Sequence, residues 1–326
     1  MARTKKGAKK ARALRVFFAT DVHGSERCFR KFLAAAKVYE ADVLLLGGDV
    51  AGKGLVPVYA ENGSLTAVVR GETVTLPAGE EERLNGDINR LGFYPVRMEA
   101  QEASHIEQNP AELDRLFREQ IVAQVQRWCE LADERLDPNV RCIITPGNDD
   151  PLEIDAVLRA AGRVECPERE LCEVGPVVLA SLGDVTPTPW NTEREFSEEQ
   201  LAERIAAMMD AVPQGQPTMV NFHCPPFGSG LDVAPELDAT LKPVIRGGRP
   251  SFVPVGSRAV REAIKRYRPV VGLHGHIHES RAVQKIGPTL CINPGSDYTA
   301  DLLRGVVVDI AGDGSYLDFL LTAASR

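Results

Sequence analysis

Five short polar motifs lie at wide intervals along this chain of 326 residues, and each follows an apolar run of the kind that forms buried strands. Four of the six histidines fall within these motifs. In open α/β sheets, ligands bind beyond the carboxyl ends of the strands. The pattern therefore predicts adjacent strands whose ends bring the motifs together at one site. The motifs are Asp21-Val22-His23, Gly48-Asp49, Gly147-Asn148-Asp149, His223, and Gly275-His276-Ile277-His278.

The first two motifs are joined by a strand–helix–strand pattern. Residues 15–20 and 42–46 are mainly apolar and predict buried strands, and Ser25 can cap the helix between them. Such a crossover connects parallel strands. The alternation of predicted strands and helices resumes after residue 138, and this alternation predicts an α/β fold. Further strands are predicted at 140–145, 177–181, 218–222 and 270–273, with two or three closing strands between 290 and 321.

Residues 53–138 interrupt this rhythm and predict an insertion. Three short alternating segments, with Asn62-Gly63 between the first two, predict a small β-meander. A helix is predicted from Glu81 to Leu91, and a longer one begins at Asn109-Pro110, where proline suits the first helical turn. The insertion either covers or borders the site, or it only thickens one flank of the core.

Charge is distributed unevenly along the chain. Residues 1–15 contain seven Lys and Arg and no acidic residue, and the other 311 residues have a net charge of −15, since 31 basic residues stand against 46 acidic ones. An acidic body repels a long polyanion such as duplex DNA. The basic tail could contact nucleic acid or a membrane surface, but a solvated, disordered tail over residues 1–14 is the favoured interpretation.

The seven cysteines are scattered and contain no Cys-x-x-Cys pair, which argues against a disulfide framework and a zinc–thiolate site. No run of 18 apolar residues is present, so no membrane partner is expected. The first 15 residues have no apolar segment typical of a secretory signal. The expected location is the cytoplasm, and the oligomeric state is left open.

The five motifs together have the composition of a metal site, although each is weak evidence alone. A carboxylate can bridge two divalent ions, and neutral imidazoles suit zinc, iron, nickel or manganese. Two ions about 3.5–4 Å apart can hold the attacking and leaving oxygens of an in-line displacement. The set therefore predicts two divalent metal ions, of unknown identity, and the cleavage of phosphate esters.

The order of the motifs resembles that of the calcineurin-like metallophosphoesterase superfamily, which has Asp-x-His, Gly-Asp, Gly-Asn-His, His and Gly-His-x-His. The resemblance extends from about Val16 to Asp309, apart from residues 53–138. It implies one domain over residues 15–326 with a four-layer α/β/β/α sandwich. It also implies a hydroxide that bridges the two metals and attacks phosphorus. By position, Asp21, His23 and His278 would hold one metal, Asn148, His223 and His276 the other, and Asp49 would bridge them.

Two departures from that pattern concern the catalytic groups. Asp149 stands where many members have a histidine that protonates the leaving oxygen, and an aspartate beside two cations is a poor acid. His274 is a candidate proton donor in its place. Lys53 stands where members often have a phosphate-binding arginine and could supply a point charge. Arg246 and Arg249 are further candidates for substrate binding.

These features favour a metal-dependent hydrolase of a small phosphate ester, either a phosphodiester or an activated phosphomonoester. Asn148 would help stabilise charge on the phosphate oxygens. A non-catalytic metal-binding scaffold of the same fold is an alternative, because Asp149 replaces the expected histidine. A nuclease is another alternative, favoured by the basic tail and disfavoured by the acidic body.

Overall fold

The computed structural model describes residues 13–325. The helices are α1 Glu26–Val38, α2 Glu81–Arg90, α3 Ala100–Glu107, α4 Pro110–Arg135, α5 Glu153–Ala160, α6 Glu198–Met209 and α7 Arg258–Tyr267. The strands are β1 Leu14–Ala19, β2 Val43–Gly47, β3 Gly54–Glu61, β4 Ser64–Val69, β5 Glu72–Pro77, β6 Phe93–Arg97, β7 Arg141–Thr145, β8 Val164–Glu165, β9 Leu171–Val174, β10 Val177–Leu182, β11 Thr218–Phe222, β12 Val233–Pro235, β13 Ile245–Arg246, β14 Arg249–Pro250, β15 Phe252–Pro254, β16 Val271–Leu273, β17 Ala282–Ile286, β18 Thr289–Asn293, β19 Leu303–Ile310 and β20 Tyr316–Ala324.

Two six-stranded sheets form the centre of the molecule. The first has the order β20-β19-β1-β2-β7-β8 and the second β17-β18-β16-β11-β10-β9. In the first sheet, β1, β2, β7 and β8 are parallel, and β19 and β20 add antiparallel strands at one edge. The predicted parallel pairing of β1 with β2 is confirmed, with Val16 opposite Val43. Three closing strands, β18 to β20, complete the two sheets as the alternating end of the chain predicts.

The side chains of β1 show how the layers are held together. Val16 and Phe18 lie in the apolar core between the two sheets, where Leu179 of β10 and Val271 of β16 also lie. Phe17 points the other way, into the core between the first sheet and helices α1, α4 and α5. This alternation follows from the two-residue period of a strand. Helices α6 and α7 cover the second sheet, so the predicted four-layer α/β/β/α sandwich is confirmed.

Residues 53–138 contain the predicted meander and helices, together with elements that the sequence did not predict. The meander strands pair with β6 in a small sheet of order β5-β4-β3-β6, which packs on α2. Strand β6 was missed because Pro95 weakens a strand pattern, and it is tolerated here because β6 lies at the edge. Helix α4 packs with the main body, since its Trp128 stacks on Phe29 of α1 at a centroid distance of 4.2 Å.

The predicted basic tail lies mainly outside the described residues, and Leu14 is already the first residue of β1. All seven cysteines are free thiols, and five of them are buried. No helix within residues 13–325 combines the length and the apolar character needed to traverse a bilayer.

Candidate metal centre

The five motifs converge because five parallel strands from the two sheets end at the same edge. The first sheet contributes the ends of β1, β2 and β7, which are followed by Asp21, Asp49 and Asn148. The second sheet contributes β11 and β16, which are followed by His223 and His276. Backbone hydrogen bonds join adjacent loops, for example from Asp21 N to Gly48 O at 3.0 Å. The site therefore spans both sheets.

The structure brings these side chains into two groups that share one aspartate. The ligand atoms in each group lie within 4.8 Å of one another. The shared aspartate is Asp49, whose Oδ2 lies 3.7 Å from His23 Nε2 and whose Oδ1 lies 3.3 Å from His223 Nε2. Each carboxylate oxygen thus faces a different group. The first group is Asp21, His23, Asp49 and His278, and the second is Asp49, His223 and His276.

Unusual backbone conformations hold the cluster in place. Asp21, His23, Asp49 and His276 all have positive φ values, between 41° and 67°. Such values cost energy in residues with a side chain, and they cluster at functional sites. Gly48 has a φ of 112°, and a Cβ atom there would lie 2.3 Å from His223 Nδ1. The glycine in the Gly-Asp motif is therefore required both by conformation and by space.

Three buried polar atoms in the cluster have no hydrogen-bond partner among the described residues: His23 Nδ1, His223 Nε2 and Asn148 Oδ1. In the neutral form of His223, Nδ1 donates to Gly47 O at 3.1 Å, and the lone pair that a metal could bind lies on Nε2. Asn148 Nδ2 donates to Asp149 Oδ1 at 2.9 Å, which leaves the amide oxygen as an acceptor. Buried polar atoms are seldom left without a partner. These atoms without a protein partner belong to a set of Asp, Asn and His side chains, which is a ligand set that fits divalent metal ions.

Negative charge dominates the electrostatics of the cluster. Burial opposes ionisation of His223, but the nearby carboxylates of Asp49 and Asp21 outweigh it and raise its pKa to about 10. Burial favours the protonated form of Asp49, but the charge of His223 holds the Asp49 pKa well below its ordinary value. Desolvation of the partly buried His276 ring lowers its pKa to about 4. The two aspartates therefore stabilise positive charge at this position.

Lys53 and Asp149 meet at the rim of the cluster. The Lys53 ammonium forms an ion pair with the Asp149 carboxylate, and the Asp149 backbone N–H donates to Asp49 Oδ1 at 3.0 Å. Burial and the charge of Asp49 raise the pKa of Asp149, and Lys53 opposes this rise. Lys53 is one-third exposed, so its charge is accessible from the open side of the site.

The other candidate residues lie in different surroundings. Arg246 and Arg249 face each other in the exposed β13–β14 hairpin, and Arg246 pairs with Glu236 at 2.7 Å. In the part of the chain that is described, neither arginine contacts a motif residue. His274 is fully buried, and its Nδ1 donates to Phe222 O at 2.8 Å. Burial lowers the His274 pKa to about 4. The buried ring and its bond to a backbone carbonyl favour a structural role over a catalytic one.

Sequence reasoning missed Asp150 and Tyr298. Asp150 is buried and accepts hydrogen bonds from the backbone N–H groups of Val50, Ala51 and Gly147, at 2.6–3.0 Å. It thereby joins the loops after β2 and β7, and burial raises its pKa to about 6. The Tyr298 ring lies 5.0 Å from the His23 ring, measured between centroids. The only sequence signal was position: Asp150 directly follows the third motif.

The comparisons with known proteins give distant relatives. No family model matches the chain. An uncharacterized protein of Methanocaldococcus jannaschii, MJ1162, is 26% identical over 188 residues, which is 56% of this chain and 76% of that protein. The crystal structure of TT1561 of Thermus thermophilus is 12% identical and has a TM-score of 0.52, covering 96% of this chain and 98% of that one.

A further crystal structure is 16% identical with a TM-score of 0.53, covering 91% of this chain and 95% of the other. At these identities the likeness concerns the fold. Both solved structures share the overall fold of this chain over more than nine-tenths of its length.

Proposed function

We propose that the protein is a metal-dependent phosphoesterase that hydrolyses phosphodiesters or activated phosphomonoesters. The observation that carries the proposal is the pair of ligand groups that share Asp49. A single bridging carboxylate between two sets of Asp and His ligands suits a pair of divalent ions. Buried ligand atoms without protein partners support the same interpretation.

The proposed ligands divide between two metal positions. Two divalent ions in such a site would lower the pKa of water and withdraw charge from phosphate oxygens. The carboxylates of Asp21 and Asp49 would offset the charge of the ions. Asn148 would be a ligand and, through its Nδ2, would keep Asp149 oriented at the rim. The first position would be held by Asp21, His23, Asp49 and His278, and the second by Asp49, Asn148, His223 and His276.

Lys53 and Asp149 are proposed to act on the substrate side. The Lys53 ammonium would attract a phosphate oxygen, and Asp149 holds that ammonium close to the cluster. With divalent ions close by, Asp149 would be ionised and a poor proton donor. His274 is buried behind the site and has a lowered pKa, which makes it a poor donor as well. Substrates with leaving groups that need no protonation are therefore expected to react fastest.

Hydrolysis of bis-p-nitrophenyl phosphate and p-nitrophenyl phosphate, with manganese added to chelator-treated protein, tests this proposal. We expect metal-dependent turnover of both esters. The Asp49→Asn variant should lose at least about 10²-fold in kcat, the scale on which a single electrostatic group acts in a desolvated site. Asp114→Asn, at an exposed carboxylate of α4, is the matched control. An absence of metal-dependent turnover in the wild-type protein would overturn the proposal.

A further inference from the structure

A cleft opens beside the ligand cluster on the side of His278. It has a volume of about 460 Å³, and its walls include His278, Glu279, Asp297, Tyr298 and Arg304. This volume lies within the range of small-molecule sites and exceeds what a phosphate group alone would fill. His278 belongs to both the cleft and the first ligand group, so the cleft directly adjoins the cluster and is within reach of an alcohol attached to a phosphate there.

Tyr298 forms the wall between the cleft and the cluster. Its ring meets the His278 ring nearly edge-on, with centroids 6.0 Å apart, and it also packs on His23 at 5.0 Å. A Cβ atom on Gly92 would lie 2.9 Å from the Tyr298 ring, so the insertion closes one side of it. The ring is therefore held between the cluster and the insertion. It offers a flat apolar surface to a group in the cleft.

Arg304 supplies hydrogen-bond donors to the same cleft. Its guanidinium pairs with Asp297, with Nη2 to Oδ2 at 3.1 Å, and its side chain is 26% exposed. Among the described residues the other guanidinium N–H groups have no protein partner. A guanidinium has five donors in a fixed plane, so several remain for a ligand that carries carbonyl or hydroxyl oxygens.

The charges of the cleft select against anionic alcohols. The carboxylates of Glu279 and Asp297 outnumber the Arg304 guanidinium, which is paired with Asp297, so the cleft would repel a second phosphate group. A neutral alcohol can accept from Arg304 and donate hydroxyl protons to Glu279, which is exposed at the cleft wall. Donors, acceptors and a flat ring together suit a group that is rich in hydroxyl and carbonyl oxygens.

Resting on the proposed phosphoesterase function, we infer that this cleft binds the alcohol portion of the substrate, and that Arg304 and Tyr298 select a neutral, oxygen-rich alcohol such as a sugar or a nucleoside. The preferred substrate is thus a phosphodiester with one such alcohol, rather than one with an anionic or plain alkyl group. Neither residue belongs to the proposed ligand set, so the inference concerns specificity and leaves the metal positions unchanged.

A series of p-nitrophenyl phosphodiesters with one common leaving group tests the inference. The second alcohol is thymidine (through its 5′ oxygen), ribose (through its 5 oxygen), ethanol or choline. With manganese present, we expect kcat/KM for the ribose or the thymidine ester to exceed that for the ethyl ester by about tenfold or more, mainly through KM. Preference for the thymidine over the ribose ester would identify the base as part of the recognised group. The choline ester should rank below both, because its alcohol has no free hydroxyl or carbonyl oxygen for Arg304 and Glu279 to bind.

The variants Arg304→Met and Arg304→Lys test whether Arg304 causes the preference for the oxygen-rich ester over the ethyl ester. We expect Arg304→Met to lower the ratio of the favoured ester to the ethyl ester about tenfold, and Arg304→Lys to lower it less, because charge remains and the planar donors are lost. Arg266→Met, at an exposed arginine of α7, is the matched control. Metal content verifies that each variant keeps the ligand cluster.

The two proposals fail in different ways. If neither these diesters nor p-nitrophenyl phosphate is hydrolysed, the phosphoesterase function itself is overturned. If only the monoester is hydrolysed, the function stands and the inference about the cleft is wrong. If all esters are hydrolysed with similar kcat/KM, or if the choline ester is preferred, the function stands and the inference about the cleft is wrong. An unchanged ester ratio in a folded Arg304→Met protein also contradicts the inference. If neither Arg304 variant folds, the ranking of esters by the wild-type protein decides alone.

Discussion

The ligand cluster and its rim differ in how they are built. Asp21, His23, Asp49 and His223 are at most 2% exposed, and they sit on loops directly after parallel strands. The side chains at the rim, Lys53, Asp149 and Arg304, are 22–33% exposed, and the proposed ligand His278 lies between the two regions at 29%. On the proposed function, the strand ends would provide the metal chemistry, and the rim would decide which ester can use it.

The cluster should tolerate little change, and Gly48→Ala is the sharpest way to show this. The new Cβ would overlap His223 Nδ1 at 2.3 Å, so the ring must move away from Asp49. We expect loss of metal-dependent activity by about 10²-fold or more, since small displacements in a site of this kind are costly. Activity and metal content of the purified variant are the measurements.

Gly63→Ala is the control for conformational strain. Gly63 also has a positive φ, of 77°, but nothing lies within 4 Å of its added Cβ. The Gly63→Ala variant should therefore have a lower midpoint of thermal unfolding and unchanged metal-dependent activity. Equal loss of activity in the two variants would show that crowding at His223 is not the cause.

The link between the loops of the cluster can be broken with Asp150→Asn. An amide cannot accept all three backbone N–H bonds that Asp150 Oδ1 and Oδ2 accept. We expect metal affinity to fall by about 10–100-fold, the usual effect of groups that orient metal ligands. Metal titration by calorimetry measures this, with exposed Asp318→Asn as the control. Unchanged affinity would mean that the loops hold their positions without Asp150.

The pH dependence of metal binding distinguishes the cluster from the rim. Without metal, the carboxylates of Asp49 and Asp21 raise the pKa of His223 to about 10, so this ring is protonated at neutral pH. A metal must displace that proton, and affinity should therefore rise with pH by up to about tenfold per unit below that pKa. Competition with a metal-sensitive dye from neutral to mildly alkaline pH measures this. A flat profile would contradict the assignment of His223 as a ligand.

Changes at the rim should have the smallest effect and should leave metal binding intact. Lys53→Met removes the charge that pairs with Asp149. We expect KM for bis-p-nitrophenyl phosphate to rise by about tenfold or less, with two metals retained, because a partly exposed charge is screened by solvent. Lys265→Met, at an exposed lysine of α7, is the control. Loss of metal in Lys53→Met would place Lys53 within the cluster instead.

The sequence predicted the strand ends well for a physical reason. Buried parallel strands are nearly continuous apolar runs, so the polar residue that ends each run is conspicuous, as at Asp21 and Asp49. The parallel crossover then places the strand ends at one edge. The layer architecture follows from the same runs and from the helical periodicity between them.

The features that the sequence did not predict depend on contacts between distant segments, and such contacts leave little trace in a single sequence. Asp150 looks like its neighbour Asp149, and only its bonds to Val50 and Ala51 distinguish the two. Tyr298 takes its position from Gly92, far away along the chain. An exposed arginine such as Arg246 can pair with phosphate or with protein, and here its partner is Glu236. Helix α4 carries no signal that Trp128 stacks on Phe29.

Metal stoichiometry tests the central claim, that Asp49 joins two metal positions, most directly. Elemental analysis of protein reconstituted with manganese and then desalted should give about two ions per chain. His276→Ala, which removes a ligand from the second group alone, should leave about one, and Asp49→Asn should leave fewer than one. A single ion in the wild-type protein, or two ions retained in Asp49→Asn, would contradict the account.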